Sequence, residues 1–396
     1  MMERRGSAAG RVMAGSAAVM LFVLGAFAPT VLEAQETDLV EEKDFLVQPG
    51  PLLWGAEVDL GLQNYLQIMP ETNTIAWLHA GGWWGSDGYY RTPDFEIYNG
   101  STGDPADITS FNEWGALWGI GLAQGLLPRV EAGRDLLRLE AWYRATYEQH
   151  LLNEDADALI ARSNLPDAEA LLLNRLFLGL IYDATVENAT TKQTDGVEAE
   201  ASVETAPGFL GNRVVGDSRF LRMNVTGRYY RPLLDGVDGG PVAPSVGIAV
   251  FVAADQLVTL SSDHTTIPAD TRQSIGGLSP RTGLGGAVRG IDSGRYDANT
   301  KIVANLEART FFHNLLPFNV TPGIVAYLDA GYYLNPAGAP STSTSYSGFL
   351  AAAGAGVSIN ALDLATLVGY TGYNLTGTNV DGSSWKPFFL GFGLHF

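Results

Sequence analysis

The final nine residues, Phe388-Phe389-Leu390-Gly391-Phe392-Gly393-Leu394-His395-Phe396, carry two different faces. Phe388, Leu390, Phe392, Leu394 and Phe396 make one side entirely large and apolar, and Phe389, Gly391, Gly393 and His395 make the other mostly small. Side chains of a strand alternate between faces with a period of two. A strand needs one wholly apolar face when that face meets lipid and the other meets a lumen. The competing reading is the last strand of a soluble sandwich, and five consecutive apolar positions closing on a terminal aromatic weigh against it.

The same alternation recurs upstream. Trp54, Ala56, Val58, Leu60, Leu62, Leu66 and Ile68 share a face, as do Leu137, Leu139, Ala141, Tyr143, Ala145 and Tyr147. Leu172, Leu176, Leu178, Leu180 and Tyr182 follow, and Val197, Ala199, Ala201 and Val203 oppose Glu198, Glu200, Ser202 and Glu204. Leu221, Met223, Val225 and Tyr229 oppose Arg222, Asn224 and Arg228. The fold class predicted is therefore all-β: a transmembrane antiparallel β-barrel, apolar outside and charged inside, with every backbone group paired as lipid demands. Glu198, Glu200 and Glu204 could pair with Arg222 and Arg228 across the inner wall. Polar stretches at 96–110, 153–170 and 336–345 read as loops, the second locally helical, and 261–299 is the longest segment without alternation. Five strands are expected after it, at about 300–313, 319–334, 345–360, 362–375 and 385–396. Eight or nine are expected before it, depending on whether 72–98 divides at Gly85–Gly88. An even total gives about fourteen, with twelve or sixteen as the neighbouring counts.

The N-terminus sets the compartment. Arg4, Arg5 and Arg11 precede an apolar, small-residue run from Val12 to Ala28, followed by Pro29 and a cleavage point after Ala34. This is the pattern of a secretory signal peptide. The expected division is a signal peptide over 1–34, a short periplasmic segment over 35–50 and the barrel over 51–396. No later stretch offers the ~18 consecutive apolar residues of a membrane helix. A formal net charge of −19 disfavours nucleic-acid binding, which needs positive potential along the phosphates. With no cysteine there is no disulfide, thiolate metal site or cysteine nucleophile.

Little else suggests chemistry. His79, His150, His264, His313 and His395 form no ligand spacing, so no metal is expected. Gly283-Leu284-Gly285-Gly286 lacks the helix and lysine of a phosphate cradle, and no GxSxG elbow is present. No enzyme activity and no cofactor are expected. Trp77, Trp83, Trp84, Tyr89 and Tyr90, with Trp114 and Trp118, read as an aromatic girdle at the membrane interface rather than a ligand platform.

Within the longest loop stands Gly285-Gly286-Ala287-Val288-Arg289-Gly290-Ile291, and two strands later Tyr327-Leu328-Asp329-Ala330-Gly331. These resemble the VRGF/Y and FxDxG motifs of the BamA/TamA superfamily of outer-membrane insertases and translocases, also called the bacterial surface antigen family. Leu180-Ile181-Tyr182-Asp183 with Gly196-Val197-Glu198 is similar to a strand pair of that family. The resemblance is clearest over 171–396, and Ile291 stands where the family has an aromatic. The terminal Phe resembles the membrane-insertion signal of outer-membrane barrels, carried here by Phe388, Leu390, Phe392, Leu394 and Phe396.

The resemblance implies a loop folded into the barrel, with Val288, Arg289, Gly290 and Ile291 as its motif. Arg289 would contact Asp329, with Glu307 a second acceptor. Tyr327 and Gly331 would share the lumen face with Asp329, Gly331 leaving room for the tip. The family's insertases carry periplasmic POTRA modules, for which the sequence before the barrel has no room. The resemblance further implies export by the Sec route to the outer membrane of a diderm bacterium. Implied partners are outer-membrane lipids, the barrel-assembly machinery, and a client or periplasmic accessory protein. The function expected is to assist insertion or translocation of proteins, or lipids, at that membrane. The alternative is a passive pore or structural barrel without client handling.

Overall fold

The computed structural model describes residues 41–49, 58–69, 74–92, 96–98, 109–128, 135–151, 158–163, 165–188, 193–234, 236, 243–261, 266–278, 287–292, 294–313, 315–316, 320–335, 346–361 and 365–394. Of residues 41–49, 58–69, 128, 243, 361, 365–366 and 387–394 only the backbone is described.

The described residues contain fourteen strands that pair in chain order, each antiparallel to the next. Before the longest loop these are β1 (Glu41–Pro49), β2 (Val58–Met69), β3 (Thr74–Gly88), β4 (Ser110–Pro128), β5 (Asp135–Leu151), β6 (Ala170–Asp183), β7 (Thr194–Ala206), β8 (Phe220–Leu234) and β9 (Ala243–Thr259). After it come β10 (Thr300–His313), β11 (Val320–Asn335), β12 (Tyr346–Ala361), β13 (Ala365–Asn374) and β14 (Trp385–Leu394). A two-residue strand, Val186–Glu187, pairs only with β7. The longest loop holds one short helix, α1 (Ala269–Gln273). No described helix is long and apolar enough to cross a membrane.

Alternation in the sequence becomes two faces in space. On β11, Ile324, Leu328 and Tyr332 are exposed, while Val325, Tyr327, Asp329 and Tyr333 are buried. On β6, Leu176, Leu178, Leu180 and Tyr182 point out, and Phe177 and Ile181 point in. Large apolar side chains stay uncovered on every strand from β3 to β13. A face this extensive would drive association in water and is the composition a bilayer core requires. The opposite face buries Glu200, Glu204, Arg222, Asp255, Lys301 and Asp329.

The sheet curls around the loop between β9 and β10. Residues of that loop bond to the end of β3 (Gly88 O), to Glu200 on β7, Arg222 on β8 and Asp255 on β9. They also reach Lys301 on β10, Asp329 on β11, Tyr346 on β12 and Lys386 on β14. One segment can touch the inner face of strands this far apart in the ladder only if the sheet curls round it. Among the described residues no ladder joins β1 to β14. Antiparallel order brings the C-terminal ends of β3, β5, β7, β9, β11 and β13 to one end of the barrel and those of β2, β4, β6, β8, β10 and β12 to the other, and the sequence between strands is mostly longer at the first end. This asymmetry is usual for trans-envelope barrels.

Fourteen strands, nine before the longest loop and five after, match the expected count, but the nine are not all the ones expected. Thr74–Gly88 is one strand, not two around Gly85–Gly88, because it pairs without interruption with β4. The fourteenth is Glu41–Pro49, inside the stretch expected to be a periplasmic segment, which pairs along its length with β2. Its charged start, Glu41-Glu42-Lys43-Asp44, shows no apolar alternation, so only backbone pairing reveals it. Of the helical character expected over 153–170, the described residues show one 3₁₀ turn, Ile160–Arg162. The girdle divides: Trp84, Trp114 and Trp118 face outward, whereas Trp77 and Tyr89 are buried. Trp77 turns inward because its position on β3 has inner-face parity, and Gly121 on β4 leaves the floor its ring covers, where a Cβ would lie 2.1 Å from the ring. The signal peptide at 1–34, Trp54, Ala56 and Phe396 lie outside the described residues, and Phe388, Leu390, Phe392 and Leu394 are described only as backbone of β14.

Candidate functional site

The site begins as four positions on the inner wall. β10 and β11 pair so that Asn305 stands opposite Asp329 and Glu307 opposite Tyr327. Period-two alternation puts all four on the inner face in two adjacent rows. The loop tip docks onto this square. Asn305 Nδ2 donates to Ala287 O at 2.7 Å. The Arg289 backbone N–H donates to Asp329 Oδ2 at 2.9 Å. Its Nε and Nη2 donate to Oδ2 and Oδ1 of the same carboxylate, each at 2.8 Å. Nη1 pairs with Glu307, and the guanidinium lies 3.9 Å from the Tyr327 ring centroid and 5.2 Å from that of Tyr370.

This is the strong form of an ion pair: a fork meeting a carboxylate, charge-assisted and desolvated. Asp329 is wholly buried and takes three N–H donors, so its charge is compensated in place. Arg289 is therefore held in its charged form: burial opposes the charge, but the hydrogen bonds it donates to Asp329 and the charge of Glu307 outweigh it and raise its pKa.

The backbone around the arginine must turn sharply. Gly290 has φ +94°, a left-handed conformation that costs an L side chain roughly 1–2 kcal/mol. It also packs against Gly372 on β13, where an added Cβ would sit 3.1 Å from backbone atoms. Gly290 O accepts from Asn379 Nδ2 at 3.1 Å and Ile291 O from Lys386 Nζ at 3.4 Å. Val288 and Ile291 are buried with Val303, Leu350 and Ala352 of the wall. Gly331 lies in that apolar row, between Val303 and Leu350 in register.

A second ionic cluster holds the loop nearer the end with the long connections. Asp297 pairs with Arg272 at 2.6 Å and with Arg91, and Arg91 stacks 4.1 Å from the Tyr346 ring centroid. Arg272, Asp297 and Arg91 are all nearly fully buried. Burial alone would raise the Asp297 carboxyl, but Arg272 and then Arg91 overrule it and hold the pKa below the ordinary range. A third contact set lies on the loop's first limb. Arg222 donates to Asp255 at 3.0 Å and to the Ser274 hydroxyl at 3.2 Å, and Glu200 accepts from Leu278 N at 2.8 Å. The α1 helix is pinned from outside the loop, where Asp167 accepts from Ala269 N at 2.6 Å.

Val288, Arg289, Gly290 and Ile291 thus lie together with Asp329, Glu307, Tyr327 and Gly331 on the inner wall. Asn305, Tyr370, Gly372, Asn379 and Lys386 also belong to the site and were missed in the sequence. Gly372 is one of 47 glycines and nothing local marks it. Asn305 could have been found, since it sits two residues before Glu307 on the same face of β10. The pairing of Glu198 with Arg228 across the wall is present. Among the described residues no group of acidic and histidine side chains could hold a metal.

No family model matches the chain, and no curated protein does. Among solved structures, BamA from Haemophilus ducreyi lacking POTRA domains 1–3 is similar at 14% identity with a TM-score of 0.47, over 86% of this chain and 62% of that one. CdiB from Escherichia coli is similar at 13% identity with a TM-score of 0.48, over 90% of this chain and 68% of that one. The chain thus spans less than two thirds of the BamA chain.

Proposed function

We propose that the protein stands in the outer membrane of a diderm bacterium and assists the insertion or translocation of proteins, or of lipids, at that membrane. The observation that carries the reading is the docking of Arg289 on Asp329 and Glu307 inside the lumen. A loop held there by a bidentate ion pair fills the barrel at rest. A permanently open pore would need the lumen clear, so the passive-pore alternative is the weaker reading. The sequence of the tip and of its partner strand resembles the motif pattern of the BamA/TamA superfamily, with Ile291 in place of an aromatic and Tyr327 in place of phenylalanine. In this role the latch keeps the barrel sealed and its wall in register while a client is handled at its edge. Outer-membrane lipids surround the apolar face, the barrel-assembly machinery inserts the chain, and a client or periplasmic accessory protein completes the system.

The test is quantitative proteomics of outer-membrane and secreted fractions after depletion, with rescue by wild type or by Arg289→Ala. A defined set of proteins should vanish on depletion and return only with wild type. An unchanged proteome and an unchanged lipid composition would sink the proposal.

A further inference from the structure

Beneath the docked tip, toward the end with the shorter turns, the inner wall contains a hollow of about 310 Å3. Strand register explains its shape. On β9 the inner-face residue Ala249 is small, and it forms the floor. Ala249 stands between Tyr230 on β8 and Glu307 on β10, and Gly247 lies opposite Arg309. Phe251 closes the floor above, with Arg228 on one side and Asn305 on the other. Strands two apart lie about 10 Å from each other, so long side chains from β8 and β10 face one another across a shallow trough. Arg289 and Tyr370 complete the lining from the loop and from β13.

The lining is rich in guanidinium groups. The whole sequence carries −19, yet the hollow presents Arg228, Arg289 and Arg309, with Glu307 among them and with Glu198 and Asp329 pairing with Arg228 and Arg289 from beside it. Both oxygens of the Glu307 carboxylate are already engaged: Oε1 by Arg289, Oε2 by Arg309 Nε at 2.6 Å. The Arg309 side chain is 38% exposed to the lumen. A guanidinium has five N–H donors, more than one carboxylate uses. Two guanidiniums already satisfy a planar carboxylate, as Glu307 shows. Arg228, on the facing wall, engages Glu198 through Nη1 only, and its further N–H groups add a direction that suits a tetrahedral oxyanion. Aromatic surface adjoins each arginine, with Arg228 5.7 Å from the Phe251 centroid and Arg309 5.9 Å from that of Tyr230.

We propose that this hollow binds a terminal phosphate group, carried on a lipid headgroup or as free phosphate, through Arg228, Arg309 and the outer edge of Arg289. The volume sits at the small end of ligand sites, which suits a phosphate with a few attached carbons and excludes a peptide strand. The inference is independent of client handling, because it needs only the folded barrel.

The experiment uses the purified full chain in an uncharged sugar detergent free of phosphate. Isothermal titration is run with inorganic phosphate, with dihexanoyl phosphatidic acid and with dihexanoyl phosphatidylcholine. Binding of phosphate and phosphatidic acid, each weakened tenfold or more in Arg309→Gln and in Arg228→Gln, supports a site for the phosphate group whatever its source. Binding of phosphatidic acid alone, with the same loss, assigns it to a lipid headgroup. Ala249→Leu, which fills the floor and leaves every charge, should abolish binding while heat-dependent electrophoretic mobility reports an intact barrel. No binding of either phosphate probe, equal binding of phosphatidylcholine, or affinity unmoved by all three variants would overturn the proposal.

Discussion

Replacing Arg289 by alanine should release the loop tip without unfolding the barrel. The substitution leaves the Asp329 carboxylate wholly buried and strips it of two side-chain donors. Breaking one partner out of a buried ion pair costs about 3–5 kcal/mol. The 12% exposure of Arg289 is too small for solvent to soften this much. The neutral contacts of the tip with Asn305 and Asn379 and the Lys386 contact are untouched, and the ionic anchors at Asp297 and Arg222 lie elsewhere on the loop, so the loss falls on residues 287–292. At a factor of ten per 1.4 kcal/mol, the open population of the tip should rise roughly a hundred- to several-thousand-fold. The chain has no cysteine, which gives a clean readout. Val288→Cys is nearly isosteric at a position with no exposed surface, and a soluble maleimide should label it slowly. Adding Arg289→Ala should accelerate labelling by that factor, and Arg289→Lys, which keeps charge but not the fork, by less. Labelling within threefold of the parent would refute the idea that this ion pair latches the tip. Loss of heat-modifiable mobility would refute the idea that its energy is local.

Gly290→Ala forces an L residue to φ +94° against Gly372 and should cost at least about 1–2 kcal/mol, read as a five- to thirty-fold or greater rise in the same labelling rate. Asp297 has a folded pKa below its unfolded value of about 3.9, so its contribution is present above that pH and is lost as pH falls through the folded value. The midpoint of heat-modifiable migration should therefore fall more steeply from pH 6 to pH 3 in wild type than in Asp297→Asn, and parallel curves would count against the cluster. Leu328→Arg puts a charge on the apolar face and should destabilise the barrel in liposomes by about 2–4 kcal/mol in denaturant titration. Phe209→Arg, at an 82% exposed position in a connection, should change that stability by under about 0.5 kcal/mol.

What the sequence made legible follows from the period-two rule. Where one face met only apolar surroundings, as on β6 or β11, alternation located the strand to within about a residue or two. Where charge obscured it, as at Glu41–Asp44, the strand was invisible, because backbone pairing leaves no trace in side-chain pattern. The aromatic cluster misled for a related reason: Trp77 and Trp84 are seven residues apart on one strand and so have opposite parity. Composition could not say which of the two met lipid. At the site, Arg289, Asp329 and Glu307 were readable because a motif and a face assignment converged on them. Gly372, Asn379 and Lys386 were not, since they reach the tip only after β13 and β14 have wrapped round to it.

The order in which the loop makes its contacts bears on how the chain is assembled. Its first limb, 266–278, holds mainly to groups that precede it: Asp167, Glu200, Arg222 and Asp255. Its second limb, 287–298, holds mainly to groups that follow: Asn305, Glu307, Asp329, Gly372, Asn379 and Lys386. A chain delivered from its N-terminus can therefore settle the first limb into a half-built wall before the last five strands arrive. Those strands then meet a scaffold already displaying Arg289, and each that joins gains a contact with it. The plug in this view acts as a mandrel, with one half seated mainly on the earlier strands and the other mainly on the later ones.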